Sequence, residues 1–533
     1  MVSTYTALQP PRQARDDMSR PQSFVSEFLR RLELSHPAAP RPANRDSDFP
    51  SYSLHDVSER ELIAIHSRPK SFQLGTGASI FTDCLIPAIV SARHEVILVT
   101  CFWAPSTTLT ALCEALTKLA AHRRAVIQDA RSRGSTSSVP PLRVCICLSS
   151  ISLLQKLLHP QSRSGYIYPP ASWPTKLGLP DAALLEAGGI ELRVKSLFFL
   201  PFSVMHPKFV IIDRRRAFLP SCNVSWEAWL EGCVEVEGDA VRSLLSFYAR
   251  TWDQLAHDLE PRFGDGDGDG DGRHGIAEGS FFDARQAGLA LAPSTAHYRA
   301  GLPSEPTLPT LVLPSSCHRN PRFHPFPWQR HPAPPGTPLN VALLQLFEHA
   351  EQSIYVQTPN LTCEPVVAAL LDALARGVDV VIVTSRNMMI LEQLVTAGTT
   401  TSWCIRSLIR RFGRLRVHPH CDPEAGRRGP GRLQISYFRA RCRAGSGGRE
   451  TRPLIASAQG EEPVHSHLKL TLVDGEYAVL GSGNLDRASF FTSQELGILF
   501  QGHEFCNTIK AGVEGVLEGR LDVVFDSNDE RRG

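Results

Sequence analysis

One short set of polar residues occurs twice in this chain, about 260 positions apart. The two copies are His206-Pro207-Lys208, Asp213, Ser221 and Asn223, and His467-Leu468-Lys469, Asp474, Ser482 and Asn484. In both copies Lys follows His by two positions, Asp follows Lys by five, and Asn follows Asp by ten. Lysine is otherwise scarce, so this spacing is unlike a chance repeat. A titratable imidazole beside a fixed cation, present twice, indicates chemistry on a phosphoryl group.

The residues after each Lys predict a buried strand that determines where the His and Lys point. Phe209–Ile212 and Leu470–Val473 are short apolar runs rich in β-branched residues. On a strand, side chains two positions apart share a face, so the His and Lys of each copy should point the same way. Two such units that face each other would place two imidazoles, two ammonium groups and two amides around one anion.

The aspartates and serines of the motif are predicted to be structural. Asp213 and Asp474 have the opposite parity to the His and Lys and should point away from that face. Each Asp stands at a turn, and Asp474-Gly475 is typical of a hairpin. Ser221 and Ser482 occupy the same position on the returning strand, two residues before each Asn.

This pattern of HxK, four residues, Asp, six residues and GSxN resembles that of the phospholipase D superfamily. Gly481-Ser482-Gly483-Asn484 matches it in full, whereas Pro220 replaces the first Gly of the other copy, a change that could weaken the first motif. Members of the superfamily also carry a downstream acid that orients the His. Glu231 in the first copy and Glu495 in the second fit that role, with Glu235 as a rival in the first copy.

The resemblance implies a mechanism through a covalent phosphohistidine. The residues that would hold the phosphate oxygens are Lys208, Lys469, Asn223 and Asn484. By the same resemblance His206 is the nucleophile and His467 the general acid and base, although the symmetry of the motifs leaves the reverse open. Glu231 and Glu495 would hold each ring in its tautomer. No metal and no cofactor are implied, because the lysines supply the positive charge.

The flanks of the two motifs also match, which predicts an α/β fold. Residues 95–105 resemble 353–360, and residues 142–148 resemble 378–383, each pair a strand that precedes its motif. The repeated order of helix, strand, helix, strand and HxK hairpin predicts one α/β sandwich in each half. The resemblance implies two halves related by pseudo-two-fold symmetry, with the site in the cleft between them.

The segments rich in Pro, Gly and charged residues predict where the two halves begin and end. The predicted divisions are a mostly disordered segment 1–57, a first domain 58–262, a linker 263–335, a second domain 336–525 and a tail 526–533. The first segment contains one helical candidate, 24–34. The linker is rich in Pro and Gly, and its Asp-Gly repeat matches the spacing of a calcium loop without a clear exiting helix, so a flexible acidic linker is predicted.

Composition limits the class of protein and its location. A chain of 533 residues with 42% hydrophobic content can bury two cores, and a net charge of +2 predicts no partner. Thirteen scattered cysteines suggest reduced thiols. No transmembrane segment or secretory signal is expected. We expect an intracellular protein, cytoplasmic or peripherally associated with a membrane, with a mitochondrial location left open. It should be a monomer with an internal pseudo-dimer.

The substrate is less well determined than the chemistry. A phospholipid is the first choice, since the chain resembles cardiolipin-synthase-like and bacterial-type phospholipase D proteins. Two aromatic pairs, Phe102-Trp103 and Phe490-Phe491, could line an acyl or base pocket, or pack in the core. The Arg-rich segment 406–452 could attract anionic lipid or nucleic acid, or be a solvated insertion. A nuclease or DNA-repair phosphodiesterase, or a non-catalytic phosphate-binding relative, remains the alternative.

Removal of metal ions should leave catalysis intact, because the implied mechanism takes its positive charge from lysines. We expect unchanged turnover of a phosphodiester substrate when the purified protein is treated with excess EDTA. A metal-dependent phosphodiesterase in the same assay serves as the positive control. Loss of activity that returns on adding a divalent cation would contradict the implied mechanism.

Overall fold

A computed structural model describes most of the chain as a mixed α/β structure, which confirms the predicted fold class. The described residues are 23–35, 63–133, 139–160, 162–200, 203–253, 297–302, 307–316, 333–417, 429–441 and 462–529. Within them, two halves repeat one order of elements. The relation of these halves by a two-fold axis stays a prediction.

The first half runs from β1 to α7 and is preceded along the chain by helix α1 (Phe24–Ser35). Its helices are α2 (Gly77–Ile80), α3 (Ile86–Val90), α4 (Thr107–Ser132), α5 (Leu153–Leu157), α6 (Ala182–Ala187) and α7 (Asp239–Thr251). Its strands are β1 (Ala64–Thr76), β2 (Glu95–Phe102), β3 (Leu142–Ser150), β4 (Tyr166–Ile167), β5 (Ile190–Ser196), β6 (Phe198–Phe199), β7 (Ser203–Val204), β8 (Phe209–Ile212), β9 (Arg216–Pro220) and β10 (Trp229–Gly238). Short 3-10 or π-helical turns cover Phe81–Leu85, Pro170–Ser172 and Trp173–Leu177.

The second half follows the same plan. Its strands are β11 (Tyr298–Gly301), β12 (Leu308–Pro314), β13 (Ser353–Thr358), β14 (Asp379–Ser385), β15 (Leu433–Phe438), β16 (His465–Ser466), β17 (Leu470–Val473), β18 (Tyr477–Gly481), β19 (Leu496–Gln501) and β20 (Leu521–Asp526). Its helices are α8 (Pro338–His349), α9 (Glu364–Ala375), α10 (Ile390–Ala397), α11 (Thr401–Val417), α12 (Arg487–Phe491) and α13 (His503–Leu517).

One continuous sheet joins the halves and places the motifs at one of its ends. In the first half β2, β3 and β5 are parallel, and β8 returns antiparallel to β2, with Val99 opposite Phe209. In the second half β13, β14 and β15 are parallel, and β17 returns with Gln357 opposite Leu470. Both HxK segments immediately precede these returning strands. They therefore lie at the carboxyl ends of the parallel strands, where α/β folds usually bind ligands.

Strands β11 and β12 lie in the interval 263–335 that the sequence assigns to a linker, so that assignment needs correction. Pro309 and Pro314 lie within β12 and suggest a linker, yet 311–313 is an apolar run buried between β1 and β19. Strand β12 precedes α8 as β1 precedes α2, so it is the counterpart of β1 in the second half. The Asp-Gly repeat, with the rest of 254–296, lies outside the described residues.

The segment 1–57 also contains folded structure. The predicted helical candidate at 24–34 is confirmed as α1. Phe28 and Leu32 are buried in the core of the second half, and Arg31 pairs with Glu348 of α8. A helix with one apolar face can dock on a neighbouring core in this way. The assignment of the segment as mostly disordered stays a prediction. The other residues of the segment lie outside the described ranges.

Three apolar cores hold the structure together. Two of these cores each belong to one half. The third combines residues from both halves, including Phe209, Leu219, Leu468 and Leu480. Helices α7 and α13 both contribute to this shared core. Among the described residues, no helix combines the length and the apolar character needed to cross a bilayer.

Asp213 and Asp474 connect each hairpin to the start of a neighbouring strand. The carboxylate of Asp213 accepts hydrogen bonds from the backbone N–H groups of Arg93, His94 and Glu95, at 2.7–2.9 Å. Asp474 accepts the equivalent three from residues 351–353, at 2.8–2.9 Å. Both aspartates have positive φ, 50° and 53°, which Asp tolerates better than most residues. Each carboxylate thus satisfies three donors at the amino end of β2 or β13.

Replacement of Asp474 should therefore destabilise the fold. Asp474→Ala leaves three backbone donors without their acceptor, and we expect it to lower the free energy of unfolding by about 2–3 kcal/mol. Asp474→Asn keeps an oxygen acceptor and should lose less. The measurement is urea unfolding of each variant. Asp522→Ala, which removes an exposed pair with Arg386, is the control and should cost under about 0.5 kcal/mol. Equal losses for the two alanine variants would contradict the capping role.

Candidate active site

Each HxK segment is hydrogen-bonded to the segment of the other half that carries the downstream acid. The backbone N–H of His206 donates to the carbonyl of Gln494 at 3.0 Å, and the N–H of Gln494 donates to Val204 at 2.9 Å. In the other half the N–H of His467 donates to the carbonyl of Leu230 at 2.8 Å. These backbone contacts bring each imidazole beside an acid from the opposite half.

Each imidazole is consequently hydrogen-bonded to the acid of the opposite half. His206 Nδ1 lies 2.8 Å from Glu495 Oε2, and His467 Nδ1 lies 2.7 Å from Glu231 Oε1. The sequence suggests that each acid serves its own copy of the motif, and the structure corrects this pairing. Glu235, the rival, instead accepts hydrogen bonds from Arg216 and Ser71 and takes no part in the site.

The motif serines support these acids. Ser221 Oγ donates to Glu231, and Ser482 Oγ donates to Glu495 at 2.5 Å. Each serine also accepts a backbone N–H, from Gly232 at 2.9 Å and from Leu496 at 3.0 Å. The two contacts are equivalent in the two halves. With Pro220 before it, Ser221 therefore makes the same hydrogen bonds as Ser482, which follows Gly481.

The two lysines are buried and held by their own motifs. Lys208 Nζ donates to the carbonyl of His206 at 2.9 Å, and Lys469 Nζ to that of His467 at 2.7 Å. An ammonium group has three donors, so each lysine retains capacity for a second acceptor. Burial lowers the pKa of Lys469 to about 7, with Glu231 opposing the shift and the charge of Lys208 adding to it.

The electrostatics show that the two motifs converge. Burial lowers the pKa of His467 to about 4; Glu231 opposes this shift, while Lys469 and Lys208 add to it. Burial also lowers the pKa of His206, with Glu495 opposing and both lysines contributing. Each imidazole therefore senses the charge of both lysines. At neutral pH the site offers two neutral imidazoles, each with Nδ1 occupied by a carboxylate.

The asparagines have different surroundings in the two halves. Asn223 Oδ1 accepts the backbone N–H of Phe102 at 3.3 Å. Asn484 Nδ2 instead donates to Asp486 at 2.9 Å, and its Oδ1 is buried without a hydrogen-bond partner among the described residues. Asp486 also caps α12 through the N–H of Ser489. Sequence reasoning missed Asp486, although an Asp before a short helix is a recognised capping signal.

Aromatic residues contribute less to the site than their positions suggest. Trp103 is buried with its indole N–H on the carbonyl of Leu177, and Phe490 and Phe491 pack in the core of the second half. These three do not line an open acyl pocket. Trp229, which the sequence reading missed, lies beside the site, with its ring centroid 4.8 Å from that of His467. Trp229 lies two residues before Glu231 in β10, so the two side chains share one face of the strand. That spacing could have identified Trp229 from the sequence.

The remaining candidates are only partly described. Arg406, Arg410 and Arg414 are exposed on α11, whereas 418–428 and 442–461 lie outside the described residues. Within the described ranges, no group of three or more His, Cys, Asp and Glu side chains is arranged to hold a metal ion.

Comparisons with known proteins find a family match in the second half. Residues 343–516 match a family model described as cardiolipin synthase, PLD-like domain. A search of curated proteins finds no match. Among solved structures, the chain is similar to phosphatidylserine synthase of Haemophilus influenzae Rd KW20, with 12% identity over 93% of this chain and 92% of that one and a TM-score of 0.46. NucT from Helicobacter pylori is 14% identical over 34% of this chain and 87% of that one, with a TM-score of 0.22.

The pKa of Lys469 predicts the pH dependence of any reaction on an anionic substrate. As pH rises through about 7 the ammonium loses its proton, so kcat/KM should fall. Lys469→Arg, whose guanidinium stays protonated, should move the falling limb to higher pH. The measurement is kcat/KM against pH, with Lys510→Arg, at an exposed position of α13, as the control. An unmoved limb in Lys469→Arg would exclude Lys469 as its source.

Proposed function

We propose that this chain is a phospholipase D-type enzyme, as the family match of residues 343–516 supports, and that it cleaves phosphodiester bonds of phospholipids, by hydrolysis or by transfer of the phosphatidyl group. One observation carries the proposal: His206 and His467 each have Nδ1 bound by a carboxylate of the opposite half, beside two buried lysines. A single phosphodiester between the two rings would meet a nucleophile on one side and a proton donor on the other.

In the first step a P–N bond would replace the P–O bond of the leaving alcohol. Nδ1 of neutral His206 donates to Glu495, which leaves the lone pair of Nε2 available to attack phosphorus. His467, protonated at Nε2 when the substrate binds, would give its proton to the leaving oxygen. The anionic substrate favours this protonated form, and its low intrinsic pKa makes His467 a strong acid toward the alkoxide.

In the second step the same groups would work in reverse. His467, now neutral, would take a proton from water or from an acceptor alcohol, whose oxygen attacks phosphorus and breaks the P–N bond. Hydrolysis releases a phosphatidic acid, and attack by an alcohol releases a new phosphodiester. The identity of the acceptor therefore decides between hydrolase and transferase activity, with the same residues in both.

The assignment of His206 as the nucleophile rests on exposure as well as resemblance. The side chain of His206 is 16% exposed, whereas that of His467 is 4% exposed. Trp229 lies against the ring of His467. An incoming phosphorus atom would reach His206 more easily, while a shielded His467 suits transfer of a proton.

The buried lysines and asparagines would stabilise the transition state. Lys208 and Lys469 would hold the non-bridging oxygens as negative charge builds on them, with the amide groups of Asn223 and Asn484 as further partners. Because the lysines are held by backbone carbonyls before substrate arrives, little reorganisation accompanies the reaction. Together they supply two positive charges at the point of reaction.

Two related predictions belong to this proposal. We expect the protein to act at a membrane surface, where its substrate lies, and to act as a monomer, because one chain provides both motifs. The intracellular location inferred from the cysteines stays a prediction.

The test is a comparison of three substrates with two histidine variants. We expect release of headgroup from phosphatidylcholine or phosphatidylglycerol, and none of nucleotides from single-stranded DNA. His206→Ala and His467→Ala should each lower the rate at least about a thousandfold, because each removes a reacting group. His66→Ala, an exposed His on β1, is the control and should keep the wild-type rate.

Urea unfolding of both variants must show that the fold survives. Protein denatured at mildly alkaline pH, where a P–N bond to histidine survives, should retain the phosphorus label of the phosphatidyl group when His206 is present and lose it in His206→Ala. Cleavage of DNA alone would replace the proposal with a nuclease. Near wild-type turnover in either histidine variant would exclude the mechanism.

A further inference from the structure

We propose that the end of the molecule that holds the cleft docks on an anionic phospholipid bilayer through two apolar helices, α5 and α10. The choice of a lipid surface rests on the proposed function. The two helices are the parts of the protein that would contact that surface. Substrate would then pass from the bilayer into the cleft without crossing water.

The two helices occupy equivalent places beside the site. Helix α5 follows β3 and α10 follows β14, so both lie at the carboxyl ends of the parallel strands, as the HxK segments do. The thiol of Cys101, at the end of β2, has its pKa raised by burial and senses the charges of Lys208, Lys156 of α5, Glu495 and Glu392 of α10. Glu392 of α10 also senses the charges of Lys156 of α5 and of Glu495.

Both helices present large apolar side chains to solvent. Leu158, directly after α5, is 77% exposed, and Leu391 of α10 is 76% exposed. The other exposed apolar residues of these two segments are Leu154, Leu157, Met389, Ile390, Leu394 and Val395. Soluble monomers rarely leave contiguous apolar patches of this kind uncovered, and such patches mark interaction sites.

Helix α10 is attached to the protein by a polar residue rather than by its apolar face. Gln393 is its one buried residue. The amide of Gln393 donates to Asn360 Oδ1 at 2.9 Å, and its carbonyl oxygen accepts from Thr401 N–H at 2.6 Å. A surface helix normally does the opposite and buries its Leu, Ile and Val. Gln393 holds α10 in place through its hydrogen bonds, which leaves the apolar side chains of the helix facing outward. Such side chains are suited to contact with an apolar medium outside the protein.

The charges beside α10 identify that medium as an anionic lipid surface. Helix α11 begins next to it with Trp403, 54% exposed, and continues with exposed Arg406, Arg410 and Arg414 at spacings of four, which place them on one face. Trp is favoured at the membrane–water interface. A basic residue near an anionic leaflet contributes about 1 kcal/mol. Apolar residues flanked by Trp and a row of Arg are typical of helices that lie in the interface.

The first half adds a second interfacial tryptophan. Trp226 is 65% exposed and lies between Asn223 and Trp229, both beside the site. Nucleic acid would use the arginines but would gain nothing from exposed Leu and Ile side chains. The combined pattern therefore favours a bilayer over an oligonucleotide.

The test measures binding of the full chain to vesicles of phosphatidylcholine with and without phosphatidylglycerol. Leu158→Glu and Leu391→Glu should each weaken binding to the mixed vesicles at least about tenfold, since a charge replaces an inserted Leu. Arg406→Glu with Arg410→Glu should weaken binding only where phosphatidylglycerol is present. Turnover of a water-soluble short-chain phosphodiester should stay at the wild-type rate in all of these variants, because none of these residues belongs to the site.

Helix α4 provides matched controls at the opposite end of the molecule. Arg123 of α4 donates to the carbonyls of Pro140 and Gly188, which precede β3 and β5, so this part of α4 lies at the amino ends of the strands. Val126→Glu, at a position 41% exposed, matches the Leu variants, and Arg124→Glu with Arg131→Glu matches the arginine pair in charge. Both should bind vesicles as the wild type does.

Several outcomes would overturn the docking surface. Wild-type vesicle binding by Leu391→Glu would exclude α10, and equal losses in Val126→Glu would show a general effect of charge. Loss in the Arg variants alone, with competition by single-stranded DNA, would indicate nucleic acid. A wild-type dimer in light scattering that Leu391→Glu converts to a monomer would indicate a second copy. If Leu-dependent vesicle binding holds but no phospholipid is cleaved, docking stands and the proposed function fails.

Discussion

The site depends on two crossed hydrogen bonds between imidazole and carboxylate. His206 relies on Glu495 and His467 relies on Glu231, so neither half contains a complete set of groups. The crossing is possible because each HxK segment is hydrogen-bonded to the opposite half's acid-bearing segment, and because Gly232 lacks a side chain where Leu468 packs. The shared apolar core holds this arrangement in place. The duplicated motif is therefore one site rather than two.

Burial of so many polar groups defines what the site can bind. Two Lys, two Glu and two His are withdrawn from water, which lowers the pKa of both imidazoles and of Lys469. Burying charges is costly unless they are paired, and here each carboxylate has an imidazole and a serine while each ammonium has a carbonyl. The charges of the lysines remain incompletely neutralised. An anion between them would complete the pairing, which fits a phosphodiester.

The two motifs are alike in sequence but not in surroundings. Asp486 holds Asn484, whereas a backbone N–H holds Asn223, and Trp229 covers only His467. The proposed reaction through one covalent intermediate would use this asymmetry, because one ring would bond to phosphorus while the other moves protons. Both HxK segments and helices α5 and α10 lie at the carboxyl ends of the parallel strands. The proposed chemistry and the proposed docking surface thus share one end of the sheet.

The sequence by itself determined the local features of this protein. Residue type and spacing identified both His-Lys pairs, and the period of two along a strand predicted that each pair shares a face. Pairings between distant segments came only from the tertiary structure. Three features depend on how the two halves pack together. They are the crossed pairing of Glu231 and Glu495 with the imidazoles, the strand β12 within a proline-rich interval, and the outward apolar face of α10. Local periodicity records which side of an element is apolar, but not which distant element will lie against it.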